Sequence, residues 1–163
     1  MERAGRGEDE IPAVELISAL ARLDLEAALA YEAAAELSKD DDLTEHLGLF
    51  ARDHRTHLEA LNEALEAEGE DGHGPEATPA GPVLAGILGL TAPLGDDVIV
   101  VTLLGNEQLT NLAYDAALSY DWDDETGGML RRFQNDEERH VAWLADKHER
   151  LGGTTSERPS PPP

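Results

Sequence analysis

Apolar residues recur along this chain at steps of three and four over four long stretches. That is the period of helices that each bury one face. The stretches run over residues 12–38, 42–68, 96–120 and 124–151. The first is rich in alanine and leucine, with no glycine or proline after Pro12. Asp42 or Thr44 is placed to cap the second. Asp96 and Asp97 favour the start of the third through the helix dipole, and Gly152–Gly153 is expected to end the fourth. Between the second and third, Glu68–Pro82 is rich in glycine and proline and reads as a linker. Val83–Leu90 reads as a short helix ahead of Pro93. Two short connections and one long one predict an all-α fold, a four-helix bundle of two helical hairpins joined by a long crossover at about residues 69–95. The bundle is expected to fill residues 11–152, with residues 1–10 and the Pro-rich tail 153–163 disordered.

The two halves match each other. Shifting the chain by 83 residues aligns Asp24–Glu66 with Glu107–Glu149 without a gap. Alanine and leucine matches are cheap in helices, so the rarer identities carry the weight: Tyr31 with Tyr114, Phe50 with Phe133, and His57 with His140. Asp40 with Asp123 and Asp53 with Asp136 fall in the same register. Each half therefore reads as one helical hairpin, and the pair as an internal duplication.

The apolar stripe of every helix is broken near its middle by ionisable residues. They are Asp24 in the first, His54 and His57 in the second, Glu107 in the third, and Glu137 and His140 in the fourth. A charge at a core position costs several kcal/mol unless it is paired or holds a metal. In an antiparallel bundle the helix middles meet, so all six side chains can converge. Three carboxylates and three imidazoles around one point suit a transition metal. A buried hydrogen-bonded network is the competing reading. The spacing favours metal, because steps of three put His54 with His57, and Glu137 with His140, on single helix faces.

At these residues the sequence resembles the ferritin-like carboxylate di-iron bundles, rubrerythrin and bacterioferritin in particular. Such bundles carry one Glu on each of two helices and Glu-x-x-His on each of the other two. Glu107 with Tyr114 seven residues on, and Glu137-Glu138-Arg139-His140, match the second half of that pattern. The first half departs from it: Asp24 stands in place of Glu, and His54-Arg55-Thr56-His57 in place of Glu-x-x-His. Asp24 reaches about 1.5 Å less than a glutamate. A neutral imidazole at His54 cannot bridge two ions through one nitrogen. Three outcomes stay open: an asymmetric di-metal site, one ion held mainly by Glu107, Glu137, His140 and His57, or a degenerate site. The resemblance implies iron, with manganese or another divalent metal as substitutes, and ferroxidase or peroxide chemistry. It also implies that Tyr31 and Tyr114 bond to ligand carboxylates across the bundle. Asp53 and Asp136 lie about 100° off the stripe, which suits support of the ligands or surface exposure rather than ligation.

Composition narrows the setting. With 35 acidic and 12 basic side chains the net charge is −23, which argues against nucleic-acid or anionic-membrane partners. The acids suit metal cations. There is no cysteine, so thiolate and iron–sulfur sites are excluded, as is a fused rubredoxin; redox turnover would need an external electron donor. The first residues lack an apolar stretch, and the most apolar region, 82–105, is broken by Pro93, Gly95, Asp96 and Asp97. A cytoplasmic protein is expected, and a homodimer meeting through the apolar segment Val83–Leu94. His46, His73 and His148 are expected in solvent, and Trp122 and Trp143 in packing roles.

Overall fold

The computed structural model describes residues 11–74 and 81–154, with side chains at 81–85 and 153–154 left aside. Residues 1–10 and 155–163, for which disorder was expected, lie outside that range. The described chain is all helical: α1 Ala13–Leu37, α2 Asp41–Ala67, α3 Gly81–Thr91, a 3-10 turn Ala92–Leu94, α4 Asp96–Leu118 and α5 Asp124–Thr154. α1 packs along α2 and α4 along α5, while α1–α4 and α2–α5 contacts join the two pairs into a bundle.

Local chemistry sets the helix ends. Asp40 caps α2, its extended backbone letting Oδ1 accept from the Leu43 N–H at 2.8 Å. The expected caps, Asp42 and Thr44, are instead inside the helix. Of three consecutive aspartates, only the one outside the helix can turn its carboxylate back onto the free N–H groups. Asp42 pairs with Lys147, whose ammonium lies 2.8 Å from Asp40 and 2.9 Å from Asp42. At the equivalent turn, Asp123 accepts from the Thr126 N–H at 2.9 Å and caps α5. α2 closes on Gly69, whose φ of 83° lets Glu70 N–H reach back to the Leu65 carbonyl. Gly152 and Gly153 do not end α5, which runs to Thr154. Gly152 does not adopt the positive φ of a glycine stop, and glycine in a helix costs only about 1 kcal/mol.

The apolar crossover serves the bundle's own core in part. α3 packs on α1, with Leu88 and Ala92 buried against Ala27, Ala30 and Tyr31 in one cluster. Ile87, Leu90 and Leu94 stay exposed. Two histidines expected in solvent, His46 off the stripe and His73 in the linker, are partly covered. His46 stacks on Trp143 at 4.1 Å, and His73 meets the Ser18 hydroxyl at 2.8 Å while Asn62 bonds its backbone. His148 is exposed, as expected. Among the described residues, no helix is long and apolar enough to cross a membrane.

Candidate metal centre

All six stripe-breaking residues are buried, none more than 1% exposed. The fold brings all six together. Their donor atoms form two groups of four, Asp24–His54–His57–Glu137 and His54–Glu107–Glu137–His140, with the atoms of each group within 4.8 Å of one another. His54 and Glu137 belong to both groups. They are also equivalent positions of the two halves, as are Asp24 with Glu107 and His57 with His140.

His54 reaches both sides through its two nitrogens. Nδ1 lies 2.9 Å from Asp24 Oδ1 and 3.5 Å from Glu137 Oε1, and Nε2 lies 3.5 Å from Glu107 Oε1. His57 Nδ1 meets Asp24 Oδ1 at 3.1 Å, and His140 Nδ1 meets Glu107 Oε1 at 2.7 Å. The outer nitrogens of these two rings bond across the halves. His57 Nε2 lies 3.1 Å from Asp136 Oδ2, and His140 Nε2 lies 3.0 Å from Asp53 Oδ2. Each ring is also covered by the phenylalanine of the other half: Phe133 on His57 at 4.1 Å and Phe50 on His140 at 4.2 Å. These contacts fix both imidazoles with Nδ1 turned inward. Arg139 pairs with Asp136 and stands 4.0 Å from Asp53. The sequence held one signal for Asp53 and Asp136, their identity in the repeat register, but not their crossing.

The tyrosines differ. Tyr114 donates to Asp24 Oδ2 at 2.5 Å, as expected. Tyr31 does not repeat that bond in the same form: its hydroxyl lies beside Glu107 but makes no well-formed hydrogen bond among the described residues, and its ring stacks on His54 at 5.4 Å. Burial pushes both phenols well up, helped by Glu107 beside Tyr31 and Asp24 beside Tyr114, so both stay neutral.

Electrostatics without a metal are those of a compact ion cluster. Burial alone would raise Asp24 and Glu107, yet the imidazoles outweigh it. Asp24 is held below the usual carboxylate range by His54 and His57, and Glu107 is held at about 2 by His54 and His140. Glu137 goes the other way, because burial outweighs its imidazole contacts and pushes it up. Burial opposes the charged form of His57, but Asp24 and Glu137 override it and raise the ring to about 9. His54 and His140 are shifted in the same direction by the carboxylates around them.

Among the described residues, four buried polar atoms of the cluster make no hydrogen bond: His54 Nε2, Glu107 Oε2 and both oxygens of Glu137. Buried polar atoms are nearly always satisfied, and here the orphans face one another. Oxygen and imidazole donors fit iron, manganese or zinc, so the residues present fit a metal.

A cation must displace the Nδ1 protons of these rings, which sets a pH dependence. A raised imidazole contributes stability in full below its unfolded value of about 6.5, and that contribution is lost as pH rises through about 9 for His57. Metal-free protein is therefore expected to lose thermal stability across that window. Over the same window Mn(II) affinity should climb, by up to about tenfold per pH unit for each proton displaced. Thermal unfolding and Mn(II) titrations between those limits check both trends; an affinity independent of pH would show that no ring proton is exchanged.

The sequence matches no protein-family model, and no curated protein matches it.

Proposed function

We infer that this is a ferritin-like metal-binding protein, a duplicated helical hairpin that holds one or two iron ions, or another divalent transition metal, at the bundle's centre. The observation that carries the reading is the pair of buried four-donor groups sharing His54 and Glu137. Glu137, with two oxygens, can serve both groups at once, whereas a neutral His54 ring can serve only one ion, so the arrangement suits either one ion or an unequal pair. Iron bound there would supply electrons to an oxidant such as oxygen or peroxide, which makes ferroxidase or peroxide-type chemistry the reaction class. The chain's own part is to hold and orient. Asp24 and Glu107 each serve one group, Glu137 faces both, and Asp53 and Asp136 keep the His140 and His57 rings aimed inward. Tyr114 steadies Asp24, and the phenylalanines keep water off the outer rings.

Anaerobic incubation with Fe(II), removal of free metal and metal analysis test the reading. Between one and two ions per chain are expected; retention below about 0.2 per chain rejects it. A second reading, a non-enzymatic bundle with a degenerate site, is favoured by one observation. The imidazolium–carboxylate bonds already neutralise most of the buried charge without any ion. It requires thermal stability indifferent to Fe(II) and Mn(II).

A further inference from the structure

In a chain of net charge −23, the segment Val98–Tyr114 of α4 carries a single charged residue, Glu107, and that one points into the core. Its outer face is apolar instead. Val101, Leu109 and Leu112 are 49%, 65% and 62% exposed. With Gly105 and Ala116 they fall at steps of four, four, three and four, which is one continuous stripe. Among the described residues, a Cβ at Gly105 would meet nothing within 4 Å, so none of them requires glycine there. Grooves flank the ridge on both sides. One, of about 530 Å³, runs between α4 and α1 past Leu16, Ala19 and Leu23. The other, of about 450 Å³, lies between α4 and α5 beside Val141 and is flanked by Asp115 and Glu138, so the apolar α1–α4 groove is the one that suits a partner's ridge. Exposed Leu90 belongs to α3, which packs against α1 and touches α4, the same two helices.

We propose that a second copy of this chain docks on this face, the α4 ridges of two protomers packing side by side about a two-fold axis. A ridge with a groove beside it is its own complement under a two-fold, because each ridge enters the partner's groove. Charge selects the occupant. A basic protein would be drawn to the acid-rich faces, and an anionic bilayer would be repelled by the whole molecule. Two copies of an acidic chain can approach closely only where acid is sparse, and the α4 ridge with the α1–α4 groove, which no acid lines, offers that strip. The opposing force is long-range repulsion between like charges, so the association strengthens as salt screens it. A complex with a basic partner would weaken instead. The inference does not depend on the metal reading.

Sedimentation of the full chain at about 1–100 μM, in roughly 0.1 M and 1 M salt, is the test. The expected mass is twice 17.6 kDa, with tighter association at the higher salt. Leu112→Glu is expected to give monomers with unchanged helicity. Because the chain has no cysteine, Gln108→Cys on the ridge should crosslink to its own copy on mild oxidation, while Glu59→Cys on the exposed side of α2 should not. The crosslinking arm decides even where Leu112→Glu fails to fold. A wild type that stays monomeric at both salts overturns the proposal, as does a dimer that survives Leu112→Glu or fails to crosslink at residue 108.

Discussion

Glu137→Gln is expected to lower the protein's affinity for Fe(II) and Mn(II) at least about 100-fold, while leaving the metal-free fold as stable as before or slightly more so. The loss follows from position. Glu137 belongs to both donor groups, and both of its oxygens lack a hydrogen bond. Supporting partners of a metal ligand are each worth about 10–100-fold in affinity, so removing the charge of a shared ligand should exceed that. The gain follows from burial. Glu137 is the carboxylate of the cluster whose ionisation the fold disfavours, since burial outweighs His54 and His57. A group with a raised carboxyl pKa weakens the fold where it is ionised, and a neutral amide of the same shape removes that penalty. Opposite signs for binding and stability are the mark of a residue kept for function. Chelator-competition titrations with Mn(II) measure the first effect, and metal-free thermal unfolding the second. An affinity within threefold of wild type would remove Glu137 from the site.

Much of this arrangement is legible in the sequence because helical periodicity reports which residues face inward. Six ionisable residues at stripe positions could only be buried, and Asp24, His54, His57, Glu107, Glu137 and His140 are. What periodicity cannot report is reach across the bundle. Asp53 lies off the stripe of its own helix, yet its carboxylate meets His140 on α5. Nothing in the sequence singles out Lys147, whose ammonium settles between Asp40 and Asp42 and 5.9 Å from the centre of the Trp143 ring. The cap of α2 was hidden for another reason. Three consecutive aspartates are chemically alike, and only backbone geometry singles out Asp40. The two tyrosines show the limit of the repeat itself. Equivalent in register, they diverge because their surroundings differ: Tyr114 bonds to Asp24, and Tyr31 lies flat on His54.

That departure at His54 sets up the other large effect. Without metal, the His54 ring sits among three buried carboxylates, 2.9 Å from Asp24 and 3.5 Å from both Glu107 and Glu137. It is the central positive charge of the cluster, and its protonated form is strongly favoured by those carboxylates against the cost of burial. His54→Glu replaces the imidazole with a carboxylate, which leaves four buried carboxylates facing only His57 and His140. Breaking a buried ion pair by removing one partner costs about 3–5 kcal/mol, and replacing that partner with a like charge should sit at the upper end. Against a total stability of about 5–15 kcal/mol, the metal-free variant is expected to lose about a third of its stability or more. Divalent cations reverse the balance, because they supply the positive charge that the imidazole provided and a fourth carboxylate binds them more strongly. The variant should therefore gain far more thermal stability from Mn(II) than wild type does. Circular dichroism melts with and without Mn(II) measure both effects. A variant as stable as wild type without metal would mean that His54 does not hold the cluster together. A variant destabilised as expected but unmoved by Mn(II) would leave the six residues as an ion network with no ion to bind.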